Sequence, residues 1–156
     1  MYKFEMEMSK YAMEVLAKSK NIDKVMAFVE LCFADLGSPR DSKQLTIVGE
    51  ELASNIFNYA YDGAPGIFAI TIYLCPEQNK VTMEFRDAGK PFNPLEKSDP
   101  DLEEDISERN IGGLGITLSK KLTDNQTYRY ENGQNVFQVE KYITPRKGEK
   151  LEDRGE

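Results

Sequence analysis

Apolar and polar positions change period several times along this chain, and each change marks an element. From Tyr2 to Met8 the apolar side chains Tyr2, Phe4, Met6 and Met8 alternate with Lys3, Glu5 and Glu7, the period of a half-buried strand. Glu14 to Ala17 extends this strand or pairs with it. The spacing then lengthens: Ile22, Val25, Phe28, Val29, Cys32 and Leu36 form one helix face behind Ser19 or Asn21 as cap. Gly37, with Pro39 just beyond, is the stop signal. A second helix over 41–60, opened by Asp41 or Ser42, carries Leu45, Val48, Leu52, Ile56 and Tyr59 at helical spacing, and Asp62-Gly63-Ala64-Pro65-Gly66 ends it.

Two β-rich runs follow, 67–74 and 81–85, joined by the hairpin-length Pro76-Glu77-Gln78-Asn79-Lys80 and therefore expected to pair antiparallel. From Asn93 to Asn110 the chain is rich in Asp, Glu and Pro and too long for an ordinary connection, so it reads as a mobile loop. A short helix over 116–122 and two strands, 126–130 and 136–143, around Asn132-Gly133 complete the pattern. The order predicts a two-layer α/β sandwich (α+β), one mixed, mainly antiparallel sheet with helices on one face. The domain spans 1–144, including a flexible segment at about 93–113, and 145–156 reads as a charged, disordered tail.

Composition narrows the chemistry. The chain of 156 residues is 40% apolar and 30% charged, with no long apolar run and no basic-then-apolar leader, which points to one globular cytoplasmic domain. A formal charge of −7 without a basic patch argues against nucleic acid as a partner, and nothing suggests a membrane. Cys32 and Cys75 lack metal-ligand spacing and read as small core residues. There is no histidine, which excludes Ser-His-Asp and Cys-His catalysis, the common zinc hydrolase sites and phosphorylation of a histidine in this chain. Carboxylates, amides, backbone dipoles and a bound ion remain.

Three constellations carry that chemistry. In Glu51-Leu52-Ala53-Ser54-Asn55 the spacing places Glu51 and Asn55 on one helix face, with Leu52 and Ile56 toward the core. A carboxylate there suits a general base and the Asn55 carbonyl oxygen suits Mg²⁺, although such a pair is commonly just a solvated face. Glu50 lies about 100° round the helix and points elsewhere. Asn58 and Tyr59 border the same side, and Tyr59 fits a core position equally well. In Asp87-Ala88-Gly89-Lys90-Pro91-Phe92 a strand-end Asp can accept from an adenine amino group, Gly89 allows a positive φ or a close backbone approach, and Phe92 offers an apolar wall. An ordinary Asp-x-Gly turn reads the same way. In Ile111-Gly112-Gly113-Leu114-Gly115-Ile116, glycines at a helix start free backbone N–H groups as an anion cradle, without the Gly-Lys-Ser/Thr of a Walker loop.

Taken together and in this order, these motifs resemble the GHKL superfamily of ATPases and its Bergerat ATP-binding fold, over roughly residues 10–143. Within it the chain is most similar to the anti-sigma factor serine kinases of bacterial partner-switching systems. The resemblance implies ATP and Mg²⁺ as cofactors, Glu51 as general base, Asn55 as Mg²⁺ ligand, Asp87 as adenine reader, and Gly112, Gly113 and Gly115, with Leu114 between them, as the hinge of a phosphate-contacting lid. Arg109 then faces the terminal phosphate. Tyr59 stands where the serine kinases often have His, and Asn132-Gly133-Gln134-Asn135 where the superfamily often has Gly-x-Gly-Thr, so that motif's hydroxyl is absent.

The expected function is phosphoryl transfer from Mg-ATP to a serine or threonine of a protein partner, a sigma factor or its antagonist, with a homodimer left open. The alternative is a non-catalytic module whose nucleotide switches its affinity for such a partner.

Overall fold

The computed structural model describes residues 8–96 and 113–144. Its elements are β1 (Ser9–Leu16), α1 (Ile22–Phe33), α2 (Pro39–Tyr59), β2 (Ile67–Cys75), β3 (Lys80–Asp87), α3 (Gly113–Leu122), β4 (Asn125–Glu131) and β5 (Gln134–Tyr142). The strands form one sheet in the order β1-β2-β3-β5-β4, and all four pairings are antiparallel, so the parallel part of a mixed sheet is absent among the described residues.

Alternation along the strands sorts the sheet into two faces. On one, Phe68, Ile70 and Ile72 of β2, Val81, Met83 and Phe85 of β3, and Phe137 and Val139 of β5 are buried. They meet Val25, Val29 and Phe33 of α1, Leu45, Val48, Leu52 and Ala53 of α2, and Ile116 of α3 in a single core. The other face carries charges: the buried Glu84 carboxylate takes Arg86 Nε at 2.8 Å and faces Arg129 at 3.8 Å, while Arg129 also bridges to Glu131 at 2.9 Å.

Two helix boundaries differ from the sequence expectation, and one expected strand falls largely outside the described residues. The alternating run over 2–8 lies, except for Met8, outside the described residues, and the observed edge strand is Ser9–Leu16. Its alternation is blurred because the outward positions include Ala12 and Leu16, so only Met13 and Val15 pack on the core. The second helix starts earlier than Asp41: Ser38 is its cap, and Pro39, expected as part of the preceding stop signal, is its first residue. A proline suits that position, since its φ is preset and no helix partner is needed for its nitrogen. The last helix begins at Gly113 rather than Ile116. Gly37 does end the first helical segment in a left-handed conformation, φ 82°, and Asn132 and Gly133, at φ 53° and 75°, form the tight turn between β4 and β5. The acidic segment is described only as far as Glu96; residues 97–112 and the tail 145–156 lie outside the described residues.

Asp41 joins the start of α2 to the end of β5. Its Oδ2 accepts from Ser38 Oγ at 2.8 Å and from the Thr144 N–H at 2.7 Å, and Lys141 Nζ lies 3.7 Å from Oδ1. Burial alone pushes its pKa up, but the Thr144 and Ser38 hydrogen bonds and the Lys141 charge outweigh it, and the carboxyl ends below the usual aspartate value. A lowered folded pKa stabilises fully above the unfolded value of about 4 and loses that contribution as pH falls through the folded value. Asp41→Ala is therefore expected to cost about 1–3 kcal/mol at neutral pH, since it leaves the part-buried Thr144 N–H, the Ser38 hydroxyl and the largely buried Lys141 cation without their acceptor. Urea unfolding at pH 7 and pH 3 should show the gap between parent and variant narrowing in acid.

Candidate functional site

A cavity of about 480 Å³ opens where the helix-covered face of the sheet runs past its helices. Leu52, Asn55, Ile56 and Tyr59 of α2 line one side; Phe85 and Asp87 of β3, Tyr128 of β4 and Asn135 and Phe137 of β5 line another; Lys90, Phe92, Pro94 and Ile116 complete the wall. Size and apolar lining suit a small-molecule site with few polar groups.

Asp87 is the last residue of β3, and strand alternation puts it on the same face as Phe85, in register with Asn135 of β5. It is only 6% exposed. Burial raises its pKa, partly offset by hydrogen bonds from Asn135 and the Gly89 backbone. Both bonds, 2.9 Å from Gly89 N and 2.9 Å from Asn135 Nδ2, fall on Oδ1. Among the described residues Oδ2 keeps its lone pairs for the cavity.

The segment after Asp87 is held by close contacts rather than by an unusual φ. A Cβ added at Gly89 would lie 2.2 Å from the Ala60 carbonyl oxygen, so the close approach, of the two roles open to this glycine, is the one observed. Tyr61 fastens the neighbouring turn: its hydroxyl donates to Ile67 O at 2.5 Å and accepts from Ala88 N at 2.7 Å. Lys90 and Asp62 pair at 3.2 Å at the cavity mouth, largely exposed and so weakly coupled.

On α2, Asn55 is half-buried and lines the cavity, and its Nδ2 is buried without a hydrogen-bond partner among the described residues. An amide left so costs free energy unless something in the cavity meets it, and a half-turn of the amide presents the carbonyl oxygen instead. Tyr59, 44% exposed, and Phe92, 46% exposed, both line the cavity, so Tyr59 is a wall residue and not core. Glu51 is half-buried one turn before Asn55 but is not part of the lining, and Asn58 is exposed and outside it. Gly113, Leu114 and Gly115 form the first turn of α3, which places the glycine run at a helix start; Arg109 and Gly112 lie outside the described residues.

The sequence reading did not select Asn135, Tyr128, Tyr61 or Lys90. Lys90 lies inside a motif already singled out, and Asn135 was visible only as a departure from a pattern. The other two carry no motif; only strand register and loop closure bring them in.

A family model for the histidine kinase-like ATPase domain matches residues 15–141. The chain belongs to the histidine kinase-like ATPase family. This histidine kinase-like ATPase domain is also similar to the serine/threonine-protein kinase BtrW of Bordetella bronchiseptica, 24% identical over 116 residues that cover 74% of this chain and 80% of BtrW. Its function is accordingly of the ATP-binding kinase or ATPase kind. Among the described residues no helix is long and apolar enough to cross a membrane.

Because the Cβ of an alanine at position 89 would strike backbone, Gly89→Ala must move the loop or the end of α2. The expected cost is about 1–3 kcal/mol of stability, read by denaturant unfolding. An unchanged midpoint would show that the Ala60–Gly89 approach is not tight in solution.

Proposed function

We propose that this domain binds Mg-ATP in the cavity and phosphorylates a serine or threonine of a protein partner of the sigma-factor or antagonist type, in the cytoplasm. The observation that carries this reading is that one apolar cavity holds the buried Asp87, whose Oδ2 accepts no hydrogen bond among the described residues, and the Asn55 amide nitrogen, which has no partner among them. BtrW, a serine/threonine-protein kinase by name, supports the choice of acceptor.

Asp87 Oδ2 accepts the hydrogen bond of an adenine amino group, while Leu52, Ile56, Ile116 and Phe137 keep water from that bond and strengthen it. Among the described residues no cluster of three His, Cys, Asp or Glu could hold a metal ion. Mg²⁺ would therefore use the Asn55 carbonyl oxygen, with phosphate oxygens and waters as its other ligands. When bound, Mg-ATP supplies the phosphoryl group and the charge neutralisation that its transfer requires. Glu51, one turn away on the same helix face, orients the acceptor hydroxyl and takes its proton. The glycine run at the start of α3 offers backbone N–H groups to the phosphates.

One observation favours the second reading, a nucleotide-switched binding module without catalysis: Glu51 is not among the residues that line the cavity. Transfer of the γ-phosphate to co-purified partners at saturating Mg-ATP separates the two. Glu51→Gln should lower transfer by about 10²–10⁴-fold with ATP affinity nearly unchanged, and Glu50→Gln should be almost silent. A parent that transfers to no partner, or a Glu51→Gln that transfers as well as the parent, leaves the binding module as the function.

Asp87 adds a pH signature. Its carboxyl must be ionised to accept from the base amino group, and its pKa is raised, so ATP affinity should be complete near neutral pH and fall at a higher pH than an ordinary aspartate would give. Asp87→Ala should cost about ten- to a hundredfold in affinity by calorimetry and abolish that acid dependence.

A further inference from the structure

Asn135 sits at 6% exposure on β5, directly opposite Asp87, and every polar group of its amide is engaged. Nδ2 donates to Asp87 Oδ1 at 2.9 Å and Lys90 O at 3.0 Å, with Gly89 O at 3.4 Å. Oδ1 accepts from Phe92 N at 3.0 Å and from the Tyr128 hydroxyl at 2.5 Å. The amide can face only this way, because a flip would set its oxygen against three acceptors and its NH₂ against the Phe92 N–H. With its donors and acceptor spent on the protein, Asn135 has nothing left for a ligand.

We propose that Asn135 is a positioning residue for base recognition: it saturates Asp87 Oδ1, pins the 89–92 backbone across the end of the sheet, and so leaves Asp87 Oδ2 as the acceptor that selects a 6-amino purine. This rests on the nucleotide reading above and deepens it. A carboxylate with two free oxygens can turn about its χ2 axis and accept a water or a different donor. Once Oδ1 is held by Asn135 and by the Gly89 N–H, the direction of Oδ2 is fixed. The same amide carries Phe92 N, and Phe92 forms part of the cavity wall, so one side chain sets both the acceptor and the wall beside it.

The groups facing Asp87 allow a clean electrostatic test. Burial first, and the Asp87 charge after it, raise the phenol pKa of Tyr61, from the turn after α2, and of Tyr128, from β4, so both stay neutral in the acid range. Lys90 and Asp62 at the mouth are paired with each other. The donor hydrogen bonds to Asp87 itself come from Asn135 and the Gly89 backbone, and both favour its ionised form.

The decisive measurement is the NMR titration of the Asp87 carboxyl in the ligand-free full chain, followed by ATP and ITP affinities of the same proteins. In Asn135→Leu the Asp87 titration should move to higher pH than in the parent. In Asn135→Thr, which keeps a hydroxyl donor on a strand-compatible side chain, it should return toward the parent. The parent should prefer ATP over ITP by about tenfold or more, and Asn135→Leu should reduce that preference to within about threefold. A merely structural role would lower stability without moving the titration or the ATP-to-ITP ratio. Should Asn135→Leu fail to fold, Asn135→Val takes its place, matching Asn135→Thr in shape but lacking the hydroxyl: an Asp87 titration at higher pH in the Val than in the Thr variant supports the donor role, and the same titration in both overturns it. An Asp87 titration that is the same in the parent and in Asn135→Leu overturns the inference outright. A parent that binds no ATP refutes the nucleotide reading, and the titration still decides what Asn135 does to Asp87.

Discussion

The hydrogen bond between Asp87 and Asn135 is the constraint around which the site is built. A carboxylate buried at the end of β3 is costly unless donors meet it, and the donors available there come from the neighbouring strand and from the chain's own reversal after Asp87. Both require the 88–92 segment to fold back across the sheet end. That return is possible because residue 89 has no side chain to collide with Ala60, and because the Tyr61 hydroxyl bridges Ile67 and Ala88. Each contact serves the next. The carboxylate is held by the amide, the amide by Phe92 N and Tyr128, and the loop by the amide.

The same helix serves stability and site. α2 buries Leu45, Val48, Leu52 and Ala53 against the sheet, and its C-terminal half turns Asn55, Ile56 and Tyr59 to the cavity. At its other end Asp41 is fastened to Lys141 near the end of β5 and to Thr144 just beyond it. β5 carries Asn135 near its start, where it binds Asp87 of β3, and Lys141 near its end, where it faces Asp41 of α2. The position of Asn55 relative to Asp87 is thus set by core packing rather than by a loop, which suits a site that must hold its polar groups in fixed relation.

Polar economy distinguishes the cavity from the opposite sheet face. There, Glu84 is buried too, but two arginines satisfy it and the ladder is closed. In the cavity Asp87 keeps one oxygen and Asn55 one nitrogen without a partner among the described residues, within walls that are mainly apolar. Buried polar groups are normally satisfied within a folded chain, and those left over are where a ligand gains most.

What the sequence determined by itself is what local physics encodes. Periodicity located both long helices, the β2–β3 hairpin and the turn at Asn132-Gly133, and the Asp87–Phe92 run was legible as a strand end, with the close approach at Gly89 as one of two roles that only the structure decided between. The start of α2 was misjudged because Ser38-Pro39 reads equally as the end of one helix and the beginning of the next, and only the Ser38–Asp41 bond resolves it. The strand expected over 2–8 lies, except for Met8, outside the described residues, and the alternation of the observed edge strand is weak because an edge strand buries too little of one face. Asn135 was visible in the sequence only as an amide where a hydroxyl was expected. Its role required the antiparallel register that sets it opposite Asp87, 48 residues earlier, and Tyr128 required the same sheet to bring its hydroxyl to that amide. Register, and with it the cavity between α2 and the ends of β3 and β5, depends on contacts between distant segments, and no spacing along the chain contains them.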